Sequence, residues 1–365
     1  MAALARAQIA LADVSAAVAE NPSVPAVIQT ALKPVAEDCS WLRSGRYRMI
    51  NPNETDPAWR THVLEVDAAA KRIKLFDNST ADYTSDGGCG YSINDGTTLD
   101  RIMVSSGGLV VVFSQELATP TNRWITVGLP EQTLPLAEFA GTWHLAGWDP
   151  ASGATTPGFV AQTGEATIDD QGRITALSGC VGTAACIADT GPFPTLAVHA
   201  QGGFTISEGG TAIGRVFLYK ALSGRKVLVM LTDDGQFIVG VPKAAIGAPT
   251  ATGTVSSIRQ FQLNGNGSIL PLTEQTYTFL SVDQATNSAT RQRMSDGLID
   301  TLRYDHPRPG LRYRAPNSCS LNNVAANCAE IVQLPLQGMG IVLSLSVGTT
   351  PTNAFFNVSV IKPAS

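Results

Sequence analysis

Arginine and tyrosine side chains are concentrated in residues 291–314 of a chain whose formal net charge is −5. Guanidinium groups bind carboxylates and phosphates, and they stack on aromatic rings. The sequence therefore predicts an exposed basic hairpin that contacts an anionic partner. The predicted contact residues are Arg303, Tyr304, His306, Arg308, Arg312, Tyr313 and Arg314. An ordinary strand–turn–strand hairpin is the alternative, because arginines that alternate with apolar residues are typical of half-buried strands.

The sequence contains no set of residues that matches a catalytic motif. Gly-x-Ser-x-Gly is absent, and Ser223-x-x-Lys226 lies in a Ser-Gly turn instead of at the start of a helix. Asp169 and Asp170 are adjacent on an extended segment, so their side chains point to opposite faces. The four histidines are scattered along the chain. We therefore predict no catalytic, cofactor or metal site; whether the chain is an enzyme stays open, and a non-enzymatic role is favoured.

The six cysteines are spaced as if each pair belonged to one part of the chain. Two pairs each pin a local loop, and the two remaining cysteines then pair with each other. The predicted bonds are Cys39–Cys89, Cys180–Cys186 and Cys319–Cys328. Disulfides form in oxidising compartments, so the pairing indicates a periplasmic, outer-surface or extracellular protein. Six buried free thiols are the alternative, whereas zinc is disfavoured because no two close Cys-x-x-Cys pairs occur.

The same order of sequence features occurs three times along the chain, and it indicates which elements position these residues. Residues 107–130, 202–242 and 338–363 each contain a Gly-marked turn, a Val/Ile-rich segment and a closing apolar segment. A repeat of this length corresponds to a β module and not to one turn of a solenoid. We therefore expect the three units to share one fold, with Cys89, Cys180 and Cys319 at equivalent positions.

The predicted fold class is mainly β: three tandem antiparallel β modules, as small meander barrels or sandwiches, preceded by a short helical hairpin. With 34 Gly and 21 Pro, the composition suits many short strands joined by tight turns. A six-bladed propeller is the alternative, but the cysteine pairs recur once per unit. The predicted domains are a helical hairpin at 1–39, β modules at 40–130, 136–243 and 258–363, and a linker at 244–257.

The second unit resembles two known families of β domain. Gly141-Thr142-Trp143 on an opening strand is similar to the start of lipocalins. The same residues, followed by a hairpin and by Gly179-Cys180, resemble the small META-type domains of bacterial envelope proteins. Either resemblance implies a secreted or envelope β domain, and the lipocalin resemblance implies an apolar ligand inside the barrel.

The composition limits the partners that the chain can have. An acidic chain is poorly suited to nucleic acid, because phosphate neutralisation needs a basic surface. No apolar run is long enough to cross a bilayer. Arg6, Gln8 and Asp13 interrupt the apolar start, from which we expect that a leader was removed before Met1. We expect a cell-envelope or extracellular polymer or protein as partner, and anionic partners are among the candidates.

These observations favour a secreted or cell-envelope β-repeat protein, such as a lipoprotein, with a non-enzymatic binding or structural role at the cell surface. Tandem modules would give avidity, because linked weak sites gain effective concentration. One alternative is a lipocalin-like carrier of a small apolar ligand, which needs a cavity of several hundred cubic ångströms. The other is a secreted hydrolase with its site between the modules.

Overall fold

The fold is described from a computed structural model, which covers residues 25–54, 56–150, 158–322, 324–347 and 354–363. The helices in these ranges are short. They are α1 (Ala26–Leu32), α2 (Pro57–Arg60) and the 3-10 helix η1 (Leu136–Phe139). A small hairpin of β1 (Val35–Ala36) and β2 (Cys39–Arg43) follows α1.

The first large sheet, called barrel 1 here, is a meander whose first strand pairs with its last. Its strands are β3 (Gly45–Ile50), β4 (Thr61–Asp67), β5 (Arg72–Lys74), β6 (Thr80–Asp82), β7 (Thr84–Gly87), β8 (Gly90–Asn94), β9 (Thr98–Val104), β10 (Val110–Glu116) and β11 (Arg123–Pro130). They are ordered β6-β5-β4-β3-β11-β10-β9-β8-β7. Tyr83 alone separates β6, which pairs with β5, from β7, which pairs with β8. One bent segment therefore nearly closes the barrel.

Barrel 2 repeats this strand order. Its strands are β12 (Gly141–Pro150), β13 (Phe159–Ile168), β14 (Ile174–Cys180), β15 (Ile187–Ala188), β16 (Thr195–Val198), β17 (Phe204–Glu208), β18 (Thr211–Lys220), β19 (Lys226–Thr232) and β20 (Phe237–Pro242). Their order is β15-β14-β13-β12-β20-β19-β18-β17-β16. The sheet is open between its edge strands, and a bridge from Arg173 to Thr195 spans the gap near the start of β14.

Barrel 3 is closed. Its strands are β21 (Val255–Asn264), β22 (Thr273–Asp283), β23 (Ser288–Arg293), β24 (Ile299–Tyr304), β25 (Arg312–Arg314), β26 (Cys319–Leu321), β27 (Val324–Ala326), β28 (Ile331–Leu336), β29 (Ile341–Ser346) and β30 (Phe355–Ile361). The pairings β21–β30 and β23–β24 close a ring of eight strands, with the β26–β27 hairpin attached to its side. The predicted fold class, mainly β with three antiparallel modules in tandem, is confirmed.

The helical region before barrel 1 differs from its prediction. The first helix of the predicted hairpin, residues 2–19, lies outside the described residues. The second helix was expected over 25–37 but ends at Leu32, and Lys33 has an extended backbone with φ −72° and ψ 143°. Pro34 explains this end, because a proline disfavours the helical conformation at the preceding residue.

The three cysteine loops do not occupy equivalent positions, so that expectation is wrong. Cys89 lies in the turn between β7 and β8, whereas Cys180 is the last residue of β14. Cys319 begins β26, in the hairpin outside the ring of barrel 3. What the units share is the pairing of the first long strand with the last.

The three barrels pack around one shared apolar core. It contains side chains from all three, including Phe113 of β10, Trp148 of β12 and Phe356 of β30. The rings of Trp148 and Phe356 meet edge to face with centroids 5.0 Å apart. The modules are therefore parts of one body and are not beads on a flexible string, so the avidity argument does not apply.

Residues 244–254, within the predicted linker, form no strand but pack against barrel 3. Ile246 and Ala248 belong to a small apolar cluster with Leu302 and Tyr304. The backbone N–H of Ile246 donates to the Asp305 carboxylate at 2.8 Å. Strand β21 then begins at Val255, three residues before the predicted start of the third module.

Candidate functional site

The base of barrel 2 is closed by the segment that leads into its first strand. Helix η1 places Phe139, which is fully buried, beneath the barrel. The indole N–H of Trp143 donates to the Phe139 carbonyl at 2.7 Å, and the Phe139 ring meets Phe204 edge to face at 4.8 Å. These contacts form an apolar floor.

Above this floor, barrel 2 holds a cavity of about 610 Å³. Strand side chains alternate between the two faces, so one set lines the cavity while the other packs into the shared core. On β19, for example, Leu228 and Met230 line the cavity, whereas Val229 and Leu231 belong to the shared core. Both faces of these strands are apolar, and the cavity wall is therefore apolar as well.

Glycines on neighbouring strands keep the cavity wide at mid-height. Leu145 of β12 is paired with Gly164 of β13 on one side and with Gly240 of β20 on the other. A Cβ at Gly240 would lie 2.8 Å from Leu228 Cγ and 2.9 Å from Leu145 Cδ2. A larger residue at position 240 would therefore displace the wall around Leu145.

The other end of the cavity is polar. Asp149 continues the inward-facing series of β12 and forms hydrogen bonds with the side chains of Gln162 and Gln236. Burial raises the pKa of the Asp149 carboxyl and the negative charge of Asp234 adds to this effect, while the two amides oppose it. The mouth can thus hold a polar group of a ligand whose body lies in the apolar part.

Barrel 1 holds a second cavity, of about 430 Å³. Trp59 and His62 line it; the rings of Trp59 and Phe76 meet edge to face at 4.7 Å, and His62 packs against both. Burial raises the pKa of Asp100, which lines this cavity, while a hydrogen bond with Ser114 lowers it. This cavity is smaller than that of barrel 2.

The interior of barrel 3 is different, because charged side chains fill part of it. Asp300 is 3% exposed and accepts two hydrogen bonds from Arg291, at 2.8 and 3.1 Å. Arg314 contacts the same carboxylate at 3.1 Å. The Arg291 guanidinium also lies 4.1 Å from the centre of the Tyr277 ring. The single carboxylate of Asp300 thus pairs with two guanidinium groups inside the protein.

The predicted anion-contact segment, 291–314, includes these arginines and is largely internal. Tyr304 and Tyr313 are buried. The guanidinium of Arg312 lies 4.9 Å from the centre of the Tyr304 ring, and the Tyr313 hydroxyl donates to Glu330 at 2.6 Å. The expectation that this whole hairpin is exposed is therefore wrong, since alternate residues of β24 and β25 face the barrel interior.

The remaining predicted contact residues lie nearer the surface, but not together. Arg308 reaches barrel 2, where it donates to Thr163 Oγ1 at 3.0 Å. His306 is half-buried with its ring 5.0 Å from that of Tyr313, and Arg303 is exposed. Contact of these residues with an anionic ligand stays a prediction.

All six cysteines are oxidised in the structure. The bonds are Cys39–Cys89, Cys180–Cys186 and Cys319–Cys328. They are the same three pairs that the cysteine order predicts. In the part of the chain that the structure describes, no group of three or more His, Cys, Asp or Glu side chains is placed to hold a metal ion.

The polar end of the barrel 2 cavity was not found by reasoning from the sequence. The sequence contains one indication of this polar end. Every second residue of β12 lies on the same face of the strand, and one such set is Trp143, Leu145, Gly147 and Asp149. Gln162, however, lies on β13, and Gln236 lies in the turn between β19 and β20. The register that brings them to Asp149 is a property of the folded sheet.

Comparison with solved structures gives weak likenesses, all to larger proteins. The isotype 1 transferrin binding protein B of Neisseria meningitidis serogroup B aligns with a TM-score of 0.25 and 9% identity, over 91% of this chain and 70% of that one. A variant of transferrin binding protein B from Haemophilus parasuis gives 0.24 and 7%, over 87% and 75%. A mosquitocidal holotoxin gives 0.20 and 9%, over 90% and 51%.

No family model matches the sequence, and no curated protein matches it. Similarity as low as that to the solved structures carries no argument about what this chain binds or does.

Proposed function

We propose that this chain is a secreted or cell-envelope binding protein that holds a small, largely apolar ligand inside barrel 2. The observation that carries the proposal is the cavity of about 610 Å³ with an apolar wall and a polar end. Small-molecule sites in proteins are typically concave, mostly apolar and about 300–1,000 Å³ in volume. The role is binding and not catalysis.

The start of barrel 2 supports this proposal. Trp143 and Phe139 together close the base of the barrel, at the position where lipocalins carry their Gly-x-Trp motif. The resemblance of residues 136–143 to that motif implies an apolar ligand in the barrel. The cavity lies where such a ligand would be held.

The disulfides support a location outside the cytosol. Three disulfide bonds in one chain are typical of proteins that mature in an oxidising compartment. Among the described residues, no helix has the length and apolar character needed to span a bilayer.

A fluorescent apolar probe tests the proposal. N-phenyl-1-naphthylamine, which is neutral and brightens in apolar surroundings, is titrated into the native protein and into Ala212→Trp. Ala212 is exposed and lines the cavity, so an indole there should block it. We expect the variant to bind the probe at least about tenfold more weakly, which is about 1.4 kcal/mol.

Ala197→Trp is the matched control. Ala197 is also exposed on a strand of barrel 2, but it does not line the cavity. This variant should bind the probe as the native protein does. A probe that binds equally well to Ala212→Trp, or that does not bind the native protein at all, would contradict the proposal.

A further inference from the structure

The carboxyl of Asp149 lies at the polar end of a cavity whose body is apolar. Strand β12 places it there, because Asp149 follows Leu145 and Gly147 on the inward face. The side chains of Gln162 on β13 and of Gln236, the residue before β20, approach it. Their side chains hold the carboxyl in place without neutralising its charge.

Other carboxylates share this lining, and basic side chains do not. The acidic residues that line the cavity are Asp149, Asp189, Glu208, Asp233 and Asp234. Among the described residues that line it, none is a lysine, arginine or histidine. The guanidinium of Arg60 approaches Asp233 from barrel 1, at 3.9 Å. A cleft lined by one sign of charge concentrates ligands of the opposite sign.

A half-buried carboxylate without a cationic partner is an unfavourable arrangement. Burial and the charge of Asp234 both oppose ionisation of Asp149, and no basic group is among those that shift its pKa. A ligand cation beside this carboxyl would remove the penalty, because buried charges are tolerated when they are paired. An anionic head group would instead add a like charge to the mouth.

We propose that the ligand of barrel 2 is a cationic amphiphile, whose apolar chain fills the cavity and whose ammonium head pairs with Asp149. The assignment rests on the proposed function, because it needs the cavity to be a binding site. It adds the chemical class of the ligand, an amine or quaternary ammonium with an apolar chain.

Three ligands with the same alkyl chain and different heads test the assignment. Decyltrimethylammonium, 1-decanol and decanoate are each titrated against the native protein at pH 7 by displacement of N-phenyl-1-naphthylamine, below the micelle concentrations of the two ionic ligands and below the solubility limit of 1-decanol. We expect decyltrimethylammonium to bind most tightly and decanoate least tightly. This ranking needs no variant.

Asp149→Asn then removes the charge while keeping the size of the side chain. Decyltrimethylammonium should bind this variant at least about tenfold more weakly, with 1-decanol unchanged and decanoate bound more tightly. Asp170→Asn is the control for net charge, because Asp170 is exposed in the turn between β13 and β14, at the closed end of the barrel. It should leave all three affinities unchanged.

The outcomes separate the two proposals. If all three ligands bind with equal affinity, or if Asp149→Asn weakens none of them selectively, the head-group assignment is overturned while the cavity remains a binding site. If no ligand displaces the probe and the probe itself does not bind, the proposed function fails and the assignment fails with it. Should Asp149→Asn not fold, the ranking on the native protein still decides.

Discussion

Asp300 shows how this acidic chain uses its arginines. The carboxylate lies inside barrel 3 between Arg291 and Arg314, whose side chains are each 14% exposed. Burial raises the pKa of Asp300, but the two guanidinium groups outweigh it and hold the pKa below its usual value. Two of the arginines that suggested an external anion from the sequence, Arg291 and Arg314, therefore have an internal anion.

Asp300→Asn should destabilise the protein by about 3–5 kcal/mol, because it leaves two guanidinium groups inside the barrel without their counter-charge. Urea unfolding at pH 7 measures the change. The control is Asp296→Asn, which breaks the more exposed pair of Arg293 and Asp296 and should cost about 0–1 kcal/mol.

The difference in stability between the native protein and Asp300→Asn should depend on pH. Since the folded-state pKa of Asp300 is lowered, its contribution to stability is fully present above the unfolded-state pKa of about 4. That contribution is lost as the pH falls through the folded-state pKa. The difference in stability between the native protein and Asp300→Asn should therefore shrink below about pH 4; a difference that stayed constant would contradict this account of the ion pairs.

At the scale of elements, the sequence repeat marks the strands that are buried on both faces. The apolar runs at 109–113, 226–231 and 341–345 fall on β10, β19 and β29. One face of each of these strands lines its own barrel, while the other enters the shared core. A strand buried on both sides reads as a continuous apolar run and not as an alternating one.

This burial predicts a sharp contrast between two leucines of barrel 3. Leu343 of β29 is 2% exposed in the shared core, and Leu280 of β22 is 45% exposed. Leu343→Ala should cost about 2–5 kcal/mol, whereas Leu280→Ala should change stability by less than about 0.5 kcal/mol. Urea unfolding of both variants checks the contrast, and equal losses would show that β29 is not a core strand.

Strand content and tandem order could be predicted from the sequence because both are local: turn glycines and apolar runs lie side by side in the chain. Two cysteine pairs were accessible for the same reason, since they close loops of sequence separation 6 and 9, and the third pair followed by elimination. The position of Asp149 beside Gln162 and Gln236 was not, since it depends on register across three strands. The sequence also could not show that the side chains of Arg312 and Tyr304 point into barrel 3, because this depends on which face of the sheet becomes the inside of the barrel.

At the scale of the whole molecule, the barrels are joined where their backbones meet. The Tyr219 hydroxyl of barrel 2 donates to the Gly107 carbonyl of barrel 1 at 2.8 Å, and the Gly107 N–H donates to Met339 of barrel 3 at 3.2 Å. A Cβ at Gly107 would lie 2.8 Å from Met339 Cα, so only glycine allows this approach. The outer walls of all three barrels are thus fixed in one core.

Methyl NMR of methionine tests the central claim, that the ligand binds inside barrel 2. Met230 lines the cavity of barrel 2, Met49 lines that of barrel 1, and Met103 and Met339 lie in the shared core. With ¹³C-methyl methionine and saturating N-phenyl-1-naphthylamine, the resonance of Met230 should move while those of Met103 and Met339 stay. Movement of Met49 without Met230 would place the ligand in barrel 1, and a probe that moves neither resonance would contradict binding in the cavity of barrel 2.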